Sequence, residues 1–451
     1  MSVPSMSKST ASKVRPVRES RPRGRPSGAG RGWVSTAGRL EGVSTPAGGP
    51  GPGGAARSTA LAAPRRERLV GVDAARGLAL LGMMGTHLVS RTTADGGVSW
   101  VYEVFSGRAS ALFAVLAGVG LALSTGRTDP PRGLELRAAR AGVLARAGVV
   151  GGVGLLVGLA PGYIYVILVY YGLLFAVAAL FVGLRFRTLA LLGGAWLLVG
   201  PVVARLVRPL VSGPGGAPTF DVPSPASLLH PLELLTGLFV TGVYPVLTWT
   251  GYLLVGMAVG RLPLQRAVVA GWLLATGAAA AVVAPLASAA ALGAAGGEQV
   301  LQGQAPPSWG VTDLPLALDT FLPGATPTTT WAWLLIDTPH SATPFDLVGT
   351  TGSALAMLGA ALLVGRAVPW SLAPLAGAGA MTLTLYSLHV VTSRPTGEVL
   401  GGEAAWLFHA AAAVVVGLAV REAGLRGPLE AVAARATRAA RSAVLRRTPS
   451  L

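Results

Sequence analysis

Apolar runs of bilayer-spanning length constrain this chain more than any other feature. YIYVILVYYGLLFAVAALFVGL (163–184) and AAWLFHAAAAVVVGLAV (404–420) carry no Asp, Glu, Lys or Arg, and a hydrocarbon core asks for about 20 apolar residues per helix. Such blocks recur along the chain, with 52 % hydrophobic and only 12 % charged residues overall. A backbone in lipid must satisfy its own hydrogen bonds, and helices do so within one segment. The reading is an all-α, polytopic integral membrane helix bundle. The 62 glycines suit helices that pack closely through small residues.

About ten transmembrane helices are predicted, near 72–90, 108–125, 141–160, 163–184, 188–207, 240–260, 267–292, 346–364, 374–391 and 404–420. Arginines mark one side. Arg127, Arg132, Arg137 and Arg140 fall between the second and third segments, Arg185 and Arg187 between the fourth and fifth, and Arg261 and Arg266 between the sixth and seventh. Arg366 follows the eighth, and RATRAARSAVLRR lies beyond the tenth. The 293–345 loop has no Lys or Arg but holds Glu298, Asp313, Asp319 and Asp337. With both termini cytoplasmic, every basic loop lies inside and the acidic loop outside. The same pattern accounts for the net charge of +17 without nucleic acid. Three regions follow: a disordered basic tail over 1–66, a membrane domain over 67–425 and a basic cytoplasmic C-terminal tail over 426–451. The first tail would hold the N-terminus inside against anionic lipid; an over-extended gene start reads equally well.

Within this frame VDAARGLALLGMMGTHL (72–88) is unusual, because ionisable side chains in a span are costly unless paired or facing a polar cavity. Asp73, Arg76, Leu80, Met83 and His87 fall on one helix face, with about 16 Å between Arg76 and His87. The face offers a cation at its inner end and a proton acceptor at its outer end. The plainer reading is a pair of interfacial anchors and a helix-ending histidine. All five histidines, His87, His230, His340, His389 and His409, fall on or near the outer side, as a vestibule or by chance. The spans carry no Asp or Glu at mid-depth. Absence of cysteine excludes disulfides, thiolate nucleophiles and cysteine-based zinc sites, and no residue is assigned to a metal.

RLVGVDAARGLALLGMMGTHL resembles the first-helix signature of the transmembrane acyltransferase superfamily, and in particular bacterial membrane proteins related to the catalytic domain of heparan-alpha-glucosaminide N-acetyltransferase. GRASALFAVLAGVGLALSTGR (107–127), IYVILVYYGLLF (164–175), YPVLTWTGYLLVGMAVGRL (244–262) and GAMTLTLYSLHVV (379–391) resemble further stretches of that group in the same order. The resemblance implies transfer of an acyl, above all acetyl, group from cytoplasmic acetyl-CoA to a hydroxyl or amine of an extracytoplasmic glycan or envelope molecule. It makes His87 the general base, with His389 next in line. A histidine that animal members carry further along has no counterpart in SRTTADGGVSWVYEVFSG.

Chemistry gives the remaining candidates. Acyl transfer needs a base that titrates in the useful range and a cationic entrance for a polyphosphate nucleotide, so Asp73 and Arg76 are placed at the donor end. Arg108, on the outer side against its charge bias, would bind an acceptor anion or stabilise developing negative charge; interfacial anchoring is the plainer role. Thr382, Tyr386 and His389 share a helix face as a second polar wall or relay, or as an aromatic-belt residue beside a helix-ending histidine. GMAVG (256–260) has the spacing of a helix-packing contact. Membrane lipid, acyl-CoA and a glycan or envelope acceptor are the partners implied, in a bacterial plasma membrane, and a homo-oligomer stays open. The alternative is a multi-pass secondary transporter of a small solute, although the halves show no repeat.

Overall fold

The computed structural model describes residues 69–160, 162 and 164–446, all within one compact unit, Arg66–Leu451. The expected N-terminal tail over 1–66 lies outside the described residues. The fold is all-helical: α1 (Val70–Leu88), α2 (Trp100–Phe105), α3 (Arg108–Ser124), α4 (Gly133–Val157) and α5 (Leu168–Phe181) form the first half of the series. Next come α6 (Phe186–Ser212), α7 (Pro231–Thr236), α8 (Val246–Gly260), α9 (Ala267–Ala294) and α10 (Leu314–Thr320). The last five are α11 (Pro344–Ala367), α12 (Ala373–Gly379), α13 (Thr382–Leu400), α14 (Gly402–Glu422) and α15 (Pro428–Arg446).

Among the described residues, six helices are long and apolar enough to cross a membrane: Trp100–Ser124, Gly133–Val157, Phe186–Ser212, Ala267–Ala294, Pro344–Ala367 and Gly402–Glu422. Two bent pairs raise the count to eight, Pro231–Thr241 with Val246–Gly260 at 58° and Pro369–Gly379 with Thr382–Leu400 at 60°. The protein is therefore a multi-pass membrane protein. Two of the ten expected segments are helical without meeting that measure. In α1, Asp73, Arg76 and His87 dilute the apolar residues, and α5 has only 14 residues. Residues 164–167, read from sequence as part of that fourth span, stay outside the helix.

Small residues set the closest contacts. Gly118 of α3 and Gly256 of α8 each present a bare Cα to the other helix: a Cβ on Gly118 would overlap the Leu253 carbonyl, and one on Gly256 the Val115 carbonyl. The GMAVG spacing is thus a packing contact between α3 and α8. Gly77 and Gly379 do the same for α1 and α12, so that α12 lies directly on α1 before the chain bends into α13. The bend aims α13 along the His87 end of α1, which positions the site.

Arg261, read as a topology marker, is also a carbonyl clamp. It donates to the carbonyls of Ala122 (3.1 Å), Thr125 (2.9 Å), Arg127 (2.9 Å) and Val182 (2.6 Å), satisfying groups that helix ends leave open. Beyond α14 the chain forms α15, which packs along α4 where a basic tail was expected. Glu430 of α15 accepts from the backbone N–H groups of Leu383 (2.7 Å) and Thr384 (3.1 Å) and from the Thr384 hydroxyl (2.6 Å). A carboxylate at a helix N-terminus satisfies orphan donors and complements the helix dipole, so α15 fixes the start of α13.

Candidate active site

The stripe on α1 divides between two settings. At one end Asp73 and Arg76 form an ion pair at 3.2 Å, and Arg76 also donates to the Leu116 carbonyl at 3.3 Å. At the other end His87 meets α13: its Nδ1 lies 3.2 Å from His389 Nε2, with the ring centroids 5.4 Å apart and the ring planes within 13° of parallel. His389 Nδ1 lies in turn 3.1 Å from His409 Nδ1 on α14, with the rings perpendicular. His409 Nε2 ends the series 2.7 Å from the Thr396 hydroxyl. The Trp406 indole, donating to the Leu81 carbonyl at 3.0 Å, fastens α14 to α1 beside this chain.

His87 and Tyr386 line a small cavity with Ser110, Ile167, Tyr244 and His340. Its volume is about 20 Å³, room for one water-sized group such as a hydroxyl or an amine. Tyr386 sits edge-on to His87 and accepts the Ile167 N–H at 3.3 Å. His340 arrives from the loop before α11, wedged edge-on between Tyr244 and Phe321. Its backbone is left-handed (φ 64°), as is that of Ala342 (φ 54°); Asp346 holds this turn by accepting the Ala342 N–H at 2.9 Å. Burial pushes the His340 imidazole down to about 4, so it is neutral near pH 7.

A second cavity, of about 430 Å³, opens beside α15. Arg146, Arg426, Arg438 and Arg441 line it together with Tyr171 and Phe175. The Arg146 guanidinium lies over the Phe175 ring, 5.2 Å from its centroid. Arg146 Nε and the Tyr171 hydroxyl are buried here and have no hydrogen-bond partner among the protein's described groups.

The cavities share no lining residue, yet the same elements wall both. α3 gives Ser110 to the small one and Phe113 to the large one, α13 gives Tyr386 and Leu383, and the entry to α5 gives Ile167 and Leu168. Three residues of helix rise about 4.5 Å. The nearest wall residues of the histidine-lined and arginine-lined cavities are therefore within about one helical turn of each other along α3, α13 and the entry to α5.

Residues 68–292 match the sequence family described as heparan-alpha-glucosaminide N-acetyltransferase, catalytic. The chain is a relative of that family. No curated protein matches it. The match covers 225 of 451 residues (292 − 68 + 1) and includes His87, Arg146 and Tyr171. His340, His389, His409 and α15 lie beyond it. The relationship makes this a membrane protein of acyltransferase type and, in that general sense, an enzyme.

Of the residues singled out from sequence, His87 and Tyr386 line the small cavity and His389 backs it. Asp73 and Arg76 pair with each other and line neither cavity. Arg108 is exposed, donates to the Glu103 carbonyl and also lines neither. Sequence reasoning did not single out His340, Tyr244, Thr396, Tyr171 or the arginines of α15. The expected placement of all five histidines on one side was the one available signal, and four of the five converge here; His230 lies against a different cavity, beside Asp221 and Glu233.

Proposed function

We propose that the protein transfers an acyl group, in the first place acetyl, from acyl-CoA held in the arginine-lined cavity to a hydroxyl or amine presented at His87. The observation that carries this reading is the pair of unlike pockets walled by neighbouring residues of α3, α13 and the entry to α5. Arginines suit the phosphates of a nucleotide donor, and an imidazole suits the acceptor's proton. With both termini cytoplasmic, the arginine cavity faces the cytoplasm, where acyl-CoA resides, and the histidine pocket faces outward to a glycan or envelope acceptor. Arg146 and Arg438 hold phosphate oxygens. The Tyr171 hydroxyl donates to the thioester oxygen as it turns negative. His87 takes the acceptor's proton while the acceptor oxygen or nitrogen bonds to the carbonyl carbon. The C–S bond then breaks, the proton held on His87 passes to the thiolate, which returns His87 to its neutral form, and CoA leaves as the free thiol.

The test is thiol release from acetyl-CoA by the purified protein in nanodiscs, with and without a crude envelope-glycan extract. His87→Gln lowers kcat by roughly 10²–10⁴-fold, the usual share of a general base. Arg438→Gln raises KM for acetyl-CoA and leaves kcat near the wild-type value. Folded wild-type protein that neither binds nor turns over acetyl-CoA would overturn the proposal.

A further inference from the structure

We propose that Thr396 sets the order of protons along the His87–His389–His409 chain, which makes Thr396 and His409 positioning residues and leaves His87 Nε2 as the nitrogen with a free lone pair. A threonine hydroxyl has one proton to give. Its oxygen lies 2.7 Å from the Thr392 carbonyl, one turn back on α13, and 2.7 Å from His409 Nε2. The Ser393 carbonyl also lies 3.1 Å away; carbonyls only accept, so the hydroxyl proton goes to these carbonyls, chiefly that of Thr392, and the hydroxyl oxygen accepts from His409 Nε2–H.

The rest of the chain then has one solution, because each neutral imidazole carries a single N–H. His409 Nδ1 is the acceptor and takes the proton of His389 Nδ1–H at 3.1 Å. His389 Nε2 is then the acceptor and takes that of His87 Nδ1–H at 3.2 Å. His87 is left with Nε2 unprotonated on a ring that lines the small cavity. Reversed, the chain would turn every proton around and put an N–H at His87 Nε2, where it could accept nothing. A triad carboxylate holds its histidine in one tautomer; here a hydroxyl does so through two neutral rings. The polarity rests on the hydrogen bonds alone. Its value to catalysis rests on the acyl-transfer reading, in which His87 Nε2 receives the acceptor's proton and His389 shares the charge of the imidazolium that forms.

The experiment is 15N NMR of the full-length chain in nanodiscs with labelled histidine. The chain has five histidines, and each resonance is assigned by replacing one of them with Gln. Near neutral pH, His87 and His389 are expected protonated at Nδ1 and His409 at Nε2, with nitrogen–nitrogen couplings across both ring-to-ring hydrogen bonds. Thr396→Val shifts His87 toward the Nε2–H form, and Thr396→Ser keeps the wild-type pattern. In the transfer assay Thr396→Val lowers kcat about tenfold at unchanged KM for acetyl-CoA, the effect of losing one buried hydrogen bond, and Thr396→Ser restores it. A wild-type His87 protonated at Nε2, or a Thr396→Val spectrum unchanged from wild type, overturns the proposal whether or not transfer is seen. The predicted tautomers in a protein with no transfer would uphold this polarity and sink the acyltransferase reading alone.

Discussion

Glu430→Ala tests whether α15 is a working wall of the larger cavity or a loosely applied tail. The substitution removes three hydrogen bonds at 2.6–3.1 Å and leaves the N–H groups of Leu383 and Thr384 without their acceptor. Loss of a side-chain helix cap costs about 0.5–2 kcal/mol, and a hydrogen bond to a charged group contributes about 1.5–3 kcal/mol. Glu430 is only partly buried, so water recovers some of this, and about 2 kcal/mol is the working figure. That corresponds to roughly a 30-fold rise in the opening equilibrium. Because α15 packs on α4 and the start of α13, the effect is local and falls on amide hydrogen exchange there. In nanodiscs, α15 and the first turn of α13 should exchange roughly 30-fold faster, with α3 and α8 unchanged. Glu430→Gln keeps one carbonyl oxygen for both backbone donors and should accelerate exchange only about threefold. A further polar tie, Arg441 to Glu135 at 3.6 Å with side chains 33 % and 61 % exposed, is a surface pair. Such pairs contribute about 0–1 kcal/mol, so Glu135→Gln should have less effect than Glu430→Ala. A Glu430→Ala protein with unchanged α15 exchange, or a larger effect from Glu135→Gln, would refute the reasoning.

Three further substitutions probe the helix contacts and the loop histidine. Gly118→Ala drives a methyl into the backbone of Leu253 and Met257, whereas Gly120→Ala meets only the tip of the Arg76 side chain; size-exclusion profiles and melting curves should show the first misassembled and the second folded. His340 is held at about 4 in the fold against 6.5 when exposed, so the unfolded chain binds a proton that the folded one refuses. The stability this histidine permits is complete above pH 6.5 and is lost as pH falls toward 4. His340→Asn, which tolerates the left-handed backbone, should melt with a shallower pH dependence in that window, and a parallel dependence would count against the assignment.

The sequence made most of the frame legible because a bilayer leaves few choices. Apolar length gave the helices, small residues announced their close contacts, and the Arg76–His87 spacing put two ionisable groups on one face of α1. The three-residue step from Tyr386 to His389 gave both to the same wall. What stayed hidden is tertiary. Nothing local tells His409 that it will meet His389 after a helix reversal, or His340 that a strained turn will carry it to His87. α15 read as a basic tail because its buried face is mostly alanine, which hardly stands out among arginines. Arg108 looked notable for its charge on the acceptor side, yet a nearby backbone carbonyl takes its hydrogen bond.

Among the described residues the histidine chain ends on a hydroxyl and not on a carboxylate, and this ending and the clustering of histidines have one physical cause. A base needs its imidazole held in one tautomer, and in water-exposed enzymes a carboxylate does this well. In a bilayer-embedded pocket the same carboxylate must be stripped of water, at an effective cost of several kcal/mol per ion. A chain of neutral rings ending on a hydroxyl carries no net charge in the resting state, and every hydrogen it buries has an acceptor. The desolvation penalty is thereby deferred to the moment His87 is protonated, when a second ring is already in contact to share the charge. Orientation by neutral hydrogen bonds is weaker than orientation by a carboxylate, and its strength depends on each link. Loss of the last hydroxyl should therefore be felt at the far end of the chain, on His87, two imidazoles away.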